Sequence, residues 1–202
     1  MSSWTSAAQV LPHFVIAVVG TAAGFSWSLR VAPEWDLPLG LAAFLLFLAS
    51  VTFRRSPGWN AVFFYTFAVA GGAFFGRILP AGGLAWGWAA VVAAAVLVAM
   101  AAAGRAGLYR QLVPLWTGLW VFSWIYVGSW FVIYGIRRET PLVVYWAAAG
   151  VMIFALLGLS TFSRLRVPQV RPVGVSLGLE LYILSLNLTL AIRLLGYSLA
   201  LR

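Results

Sequence analysis

Seven apolar runs, each roughly 20 residues long and so long enough to cross the hydrocarbon core of a bilayer as a helix, follow one another along this chain. Short connections carrying arginine, proline and glycine separate them, so consecutive helices are expected to be antiparallel neighbours. The sequence therefore predicts an all-α integral membrane protein with a single transmembrane domain over residues 1–202. The predicted spans are 10–31, 37–53, 60–79, 84–103, 112–134, 141–162 and 173–201.

The scarcity of charge supports the same conclusion. Of the 202 residues, 63% are hydrophobic and 8% are charged, whereas a soluble domain carries about 25% charged residues. The net charge of +9 comes from arginines that stand singly or in pairs between the apolar runs. That distribution is typical of loops flanking a membrane and unlike a nucleic-acid-binding patch. We therefore expect the lipid bilayer as a partner, and no nucleic acid.

The arginines also predict an orientation, because cytoplasmic loops carry more of them. One side of the membrane, with the N-terminus, holds seven arginines and no acid: Arg54, Arg55, Arg105, Arg110, Arg164, Arg166 and Arg171. The other side holds five arginines with three acids: Arg30, Arg77, Arg137, Arg138, Arg202, Glu34, Asp36 and Glu139. We predict a cytoplasmic N-terminus and an external C-terminus. The absence of lysine suggests a GC-rich prokaryote, and hence the inner (plasma) membrane.

Several kinds of active site are excluded by composition. The chain has no cysteine, which rules out disulfides, thiolate metal sites and cysteine nucleophiles. Its one histidine, His13, cannot build a histidine metal site or a bis-histidine haem within one chain, and we interpret it as an interfacial residue. We find no paired carboxylates, no glycine-rich phosphate loop and no serine nucleophile elbow. The sequence predicts no enzyme, no metal and no cofactor.

The last apolar run, Val173–Leu201, differs from the others because polar residues interrupt it. At about 100° per residue these fall on two stripes more than a quarter-turn apart. One stripe comprises Ser176, Glu180, Asn187 and Ser198, and the other Tyr182, Thr189 and Arg193. Two polar stripes require protein or water on more than one side of the helix. We therefore expect this seventh helix to be central, with the others around it.

A carboxylate inside a span costs a few kcal/mol and needs a partner or a proton. Glu180 could be a carboxylate that responds to protons or cations, or it could pair with a loop arginine such as Arg164 or Arg166, or reach the headgroup layer. Asn187 is expected to make an interhelical hydrogen bond, and Arg193 can extend outward to the membrane surface. Glu180, Asn187, Tyr182 and Arg193 are the candidate pore or sensor residues of this helix.

Small residues at intervals of four predict close helix contacts, because this spacing places them on one face where backbones can approach. The third helix has Ala68, Gly72 and Gly76, the fourth Ala85, Ala89 and Ala93, and the sixth Gly150, Phe154 and Gly158. Packing within one chain is the simpler interpretation, and a homodimer seam is the alternative.

Four stretches together resemble the Bax-inhibitor family of seven-helix membrane proteins. The first is Ser56-Pro57-Gly58 leading into FFYTFAVAGGAFFGRILP, and the second is AAVVAAAVLVAMAAAGRAGLYRQL. The third is Gly150-Val151-Met152-Ile153-Phe154, similar to a signature of the family's sixth helix. The fourth is the series Leu181-Tyr182, Asn187-Leu188 and Arg193-Leu194-Leu195-Gly196, similar to the pattern of its last helix.

The resemblance implies a central seventh helix, and either a passive, pH-sensitive calcium leak or the modulation of membrane proteases and stress responses. It also implies a sensor of two aspartates, at positions where this chain has Thr161 and Leu184. Thr161 thus joins the candidate sensor residues, and Glu180, one turn from Leu184, could replace the acids in part. The expected function is a diverged cation leak protein or a regulator of membrane proteins. The alternative is a non-catalytic accessory subunit of a larger membrane protein complex.

Overall fold

The computed structural model describes residues 4–78, 83–106, 114–136, 140–165 and 174–200, with side chains over most of these ranges. Seven α-helices occupy nearly all of this described part of the chain. They are α1 (Trp4–Ser28), α2 (Asp36–Thr52), α3 (Pro57–Ile78), α4 (Gly83–Ala106), α5 (Trp116–Ile136), α6 (Thr140–Arg164) and α7 (Gly174–Ala200). A 3-10 turn over Pro33–Trp35 leads into α2.

Each predicted span coincides with one of these helices, and the differences lie at the ends. Helix α1 begins at Trp4, six residues before the apolar run, and continues through Pro12. It ends at Ser28, where the carbonyl oxygens of the last turn accept hydrogen bonds from the backbone amides of Arg30 and Val31. Hydropathy marks the part of a helix that suits lipid, whereas the helix itself extends into polar residues at the membrane surface.

Six helical stretches in the described residues are long and apolar enough to cross a membrane. They are Gln9–Ser28, Pro33–Thr52, Pro57–Arg77, Trp86–Gly104, Val144–Arg164 and Gly174–Gly196. Helix α5 has 21 residues and is not among these six, because the structure describes the side chains of only its first part, residues 116–129. The six apolar helices indicate a multi-pass membrane protein.

The outward-facing side chains of the helices agree with a lipid environment. Large apolar residues with more than 60% of their surface exposed occur on α1, α2, α4, α5 and α6, among them Val19, Leu45, Val98 and Ile125. Exposed apolar surface on this scale marks a membrane or protein contact.

The helices form two compact units. The first contains α1, α2, α3 and the start of α7 as far as Tyr182. Within it α1 and α3 approach so closely that a methyl group on Gly24 would overlap the carbonyl oxygen of Val69, and one on Gly72 would overlap the carbonyl oxygen of Thr21. Gly76 lies in the same way against Ser28. The small-residue face predicted on α3 is therefore confirmed as a contact within the chain.

Helix α2 completes the first unit by packing on α3. Phe47 and Phe67 place their ring centroids 5.3 Å apart. At one end, the buried side-chain amide of Asn60 donates to the carbonyl oxygen of Ser50 over 2.8 Å. At the other end, the Arg77 guanidinium donates to the Asp36 carboxylate, also over 2.8 Å. These bonds fix α2 along its length against α3.

The second unit contains α4, α5, α6 and α7 from Ile183 onward. Gly158 of α6 faces α4, where a methyl group would lie 3.5 Å from Leu97 and 3.9 Å from Met100. Toward α5, the Tyr126 ring stacks on Trp146 with centroids 4.1 Å apart and lies edge-on to Phe154 at 5.5 Å. The face predicted on α6 thus makes contacts within this unit. On α4, Ala89 and Ala93 are buried, and the side chain of Ala85 lies outside the described part of the chain.

Candidate functional site

Tyr182 anchors the start of α7 inside the first unit. Its side chain is 2% exposed, and its ring lies edge-on to Phe64 and Phe67, with centroids 5.4 and 6.0 Å away. Its hydroxyl oxygen lies 2.5 Å from the Thr21 hydroxyl, which also hydrogen-bonds the Ala17 carbonyl oxygen over 2.8 Å. Because a threonine hydroxyl has one hydrogen, Thr21 donates to Ala17 and Tyr182 donates to Thr21.

His13 meets the same stretch of α7 one turn before Tyr182. Its Nδ1 atom lies 2.5 Å from the Tyr65 hydroxyl oxygen. A methyl group on Gly178 would lie 3.0 Å from the His13 Cβ. The histidine that the sequence placed at the membrane surface is therefore half-buried in a helix contact. The absence of a side chain at Gly178 makes room for it.

Glu180 is also buried, at 8% exposure, and it has an interaction partner within the protein. It follows Ser176, whose hydroxyl donates to the Arg54 carbonyl oxygen over 3.3 Å. Of the two arginines proposed as partners from sequence, Arg166 lies outside the described residues. Arg164 is 9% exposed, and its guanidinium carbon lies 3.6 Å from the centre of the Trp116 ring.

The polar residues further along α7 hydrogen-bond within their own helix. Asn187 is 8% exposed, and its side-chain amide donates to the Ile183 carbonyl oxygen over 2.9 Å. The Thr189 hydroxyl donates to the Ser185 carbonyl oxygen over 2.7 Å. Short polar side chains commonly reach the carbonyl four residues back in this way. One amide hydrogen of Asn187 is thus used inside α7, and the interhelical bond stays a prediction.

Arg193 belongs to the second polar stripe of α7 and contacts an aromatic ring of α4. Its guanidinium carbon lies 3.9 Å from the centre of the Trp86 ring. A cation over a tryptophan face gains roughly 0.5–2 kcal/mol, and more when water is excluded. The Trp86 ring attracts the guanidinium charge, so placing this cation within the protein costs far less free energy than burying an isolated cation would.

The two positions where the resemblance places aspartates are both fully buried. Thr161 on α6 and Leu184 on α7 are each 0% exposed. The Thr161 hydroxyl oxygen has no hydrogen-bond partner among the residues that the structure describes. A threonine and a leucine can neither exchange a proton near neutral pH nor share one, so the carboxylate pair of the resembled family has no equivalent at these positions.

The candidate residues therefore fall into different surroundings. Glu180 and Tyr182 belong to the first unit, whereas Thr161, Asn187 and Arg193 belong to the second. Thr21, the acceptor for Tyr182, was not predicted from the sequence as part of the site. No protein-family model matches the chain, and no curated protein matches it. The resemblance to the Bax-inhibitor family rests on the motifs quoted above.

Proposed function

We propose that this chain is a non-conducting accessory or regulatory subunit of a larger membrane protein assembly, built on a Bax-inhibitor-like scaffold. The observation that carries the proposal is that polar side chains of α7 donate hydrogen bonds to acceptors within the protein. Tyr182 donates to Thr21, Asn187 to the carbonyl oxygen of Ile183, and Thr189 to that of Ser185.

Groups that line an ion pathway must bind the ion or its water in place of other partners. To do so, a side chain must give up the bond that it already donates to a protein acceptor, which is worth about 0.5–1.5 kcal/mol net. Three such bonds on one helix favour a structural role for its polar residues.

The burial of α7 supports a seven-helix scaffold with this helix at the centre. Of its apolar stretch 61% is buried, against 17–44% for the other five candidate spans. Helix α5 would be the remaining span, because its 21 residues rise about 30 Å, the thickness of the hydrocarbon core. The polar stripes of α7 fit a central helix, since lipid on either side would face one of them.

The same proposal includes an orientation. With seven arginines against five, the N-terminus lies in the cytoplasm and the C-terminus outside, in the inner membrane of a prokaryotic cell. A fluorescent protein that matures only in the cytoplasm should be bright when fused to the N-terminus and dark when fused to the C-terminus.

The proposed partner is a larger membrane protein complex or a membrane protease. Both present apolar surface within the bilayer, which the exposed side chains of the helices can match by packing. Exposed candidates lie on four helices: Val19 on α1, Leu45 on α2, Val98 on α4 and Met152 on α6.

Photo-crosslinking in intact cells tests this partner. A photoreactive residue placed singly at each of these four exposed positions should give, at one position or more, a single adduct of defined mass with one membrane protein. The same variants kept in the dark provide the control. Adducts with lipid alone at all four positions, together with elution of the chain as a lone monomer in mild detergent, would contradict the proposal.

A second candidate is a cation leak, which one observation favours. Glu180 places a carboxylate at 8% exposure within an apolar helix, a costly arrangement that is often functional. Under this candidate Glu180 binds the cation or a proton during transport.

A further inference from the structure

The connection between α2 and α3 combines exposed cations with exposed aromatic rings. We name it the basic-aromatic turn and define it by Phe53, Arg54, Arg55, Trp59 and Phe63. Arg54 and Arg55 are exposed, while Phe53 is 44% and Trp59 59% exposed. The Phe63 ring lies between the other two, with centroids 5.3 Å from Phe53 and 5.9 Å from Trp59.

The backbone of this turn is held firmly in place. The backbone amides of Arg54 and Ser56 donate to the carbonyl oxygens of Val51 and Phe53, respectively. The backbone amide of Asn60 donates to the carbonyl oxygen of Ser56. From the start of α7, Ser176 donates to the Arg54 carbonyl oxygen. The backbone that carries the two guanidinium groups is therefore held in one position beside the three rings.

We propose that the basic-aromatic turn binds the headgroup of an anionic phospholipid. Guanidinium groups match phosphate oxygens with paired, charge-assisted hydrogen bonds. Tryptophan and phenylalanine rings exposed at the end of a membrane helix settle beside the glycerol and upper acyl region. The turn thus offers a binding site for the lipid phosphate and, next to it, an apolar surface for the lipid's acyl chains.

The charge of the turn is not neutralised by nearby acids. Residues 53–63 contain none. At the opposite end of the first unit, by contrast, Arg30 and Arg77 are balanced by Glu34 and Asp36, and Asp36 pairs with Arg77. On α7 the acid is Glu180, which lies one helical turn beyond Ser176, is buried and has its own interaction. The net positive charge of the turn complements an anionic lipid.

The test uses the full chain purified in mild detergent and supplied with phosphatidylglycerol or phosphatidylcholine. Native mass spectrometry counts the lipid retained. Wild type should retain phosphatidylglycerol preferentially, and Arg55→Gln should weaken that retention about fivefold. Arg30→Gln, an exposed arginine in the turn that follows α1, is the matched control and should leave it unchanged.

Further variants separate the parts of the site. Arg54→Gln combined with Arg55→Gln should abolish the preference for phosphatidylglycerol, and Arg55→Lys should retain most of it. Trp59→Ala should weaken retention, whereas Trp88→Ala, at a tryptophan of α4 that is 67% exposed, should not. Circular dichroism and elution volume confirm that each variant is folded.

Three results would overturn the proposal. The first is equal retention of phosphatidylglycerol and phosphatidylcholine by wild type. The second is an equal loss in Arg55→Gln and Arg30→Gln. The third is competition by inorganic phosphate as effective as that by phosphatidylglycerol, since the site requires the lipid's apolar part as well as its phosphate.

Discussion

Replacing Gly72 by alanine is expected to lower the free energy of unfolding by about 2 kcal/mol, whereas the same change at its neighbour Gly71 should leave it unchanged or raise it by up to about 1 kcal/mol. A methyl group on Gly72 would overlap the carbonyl oxygen of Thr21, and backbone cannot move aside as a flexible side chain can. A methyl group on Gly71 meets the Phe67 ring at 3.6 Å, an ordinary contact.

Comparing Gly72→Ala with Gly71→Ala isolates the contact between α1 and α3. Both changes give the same gain in helix propensity, so a difference in stability between them comes from that contact. The measurement is reversible unfolding in detergent micelles, followed by far-ultraviolet circular dichroism. Equal effects of the two substitutions would show that α1 and α3 do not approach as closely as the structure has them.

Truncating Tyr182 to alanine is expected to cost about 3 kcal/mol of stability, while Tyr182→Phe should cost about 1 kcal/mol. The first change removes a buried ring that packs against Phe64 and Phe67. In a bilayer the stability that this truncation removes is mainly van der Waals packing energy, since lipid tails are as apolar as the protein interior. The second change removes only the hydroxyl that donates to Thr21.

A double-mutant cycle checks the source of the smaller effect. Thr21→Val combined with Tyr182→Phe should destabilise by less than the sum of the single changes, because both remove the same hydrogen bond. Tyr145→Ala is the control for ring loss, as Tyr145 is 73% exposed on α6. Strict additivity, or an equally large effect of Tyr145→Ala, would contradict the assignment of Tyr182 as an anchor of α7.

The sequence was sufficient to predict the positions of the helices and some of the faces by which they contact one another. Apolar runs place each helix within a few residues because lipid requires both length and apolarity. Spacing of four identified the face of Gly72 and Gly76 because only small residues allow backbones to meet. The start of α1 at Trp4 was not predicted, since hydropathy carries no information about a helix beyond its apolar part.

The partners of the polar residues could not be predicted in the same way. Tyr182 and Thr21 are 161 positions apart, and periodicity gives the face of a residue but not the helix opposite it. Likewise nothing in the sequence pairs Arg193 with Trp86. The sequence also does not show that one amide hydrogen of Asn187 goes to the carbonyl oxygen of its own preceding turn.

These partners change the interpretation of the polar stripes on α7. From sequence the stripes suggested either a hydrated pathway or a packed interior. In the structure Tyr182, Asn187 and Thr189 donate their hydrogens to protein acceptors. Of these bonds, the one from Tyr182 to Thr21 joins α7 to α1, whereas those of Asn187 and Thr189 lie within α7.

Calcium flux into liposomes tests most directly our proposal that this chain does not conduct cations on its own. Wild-type protein is reconstituted with a calcium indicator inside the vesicles, and flux is recorded at neutral and acidic pH beside protein-free liposomes. We predict no flux above the protein-free level at either pH, for wild type and Glu180→Gln alike. A calcium flux that wild type supports and Glu180→Gln abolishes would contradict the claim and establish the cation leak instead.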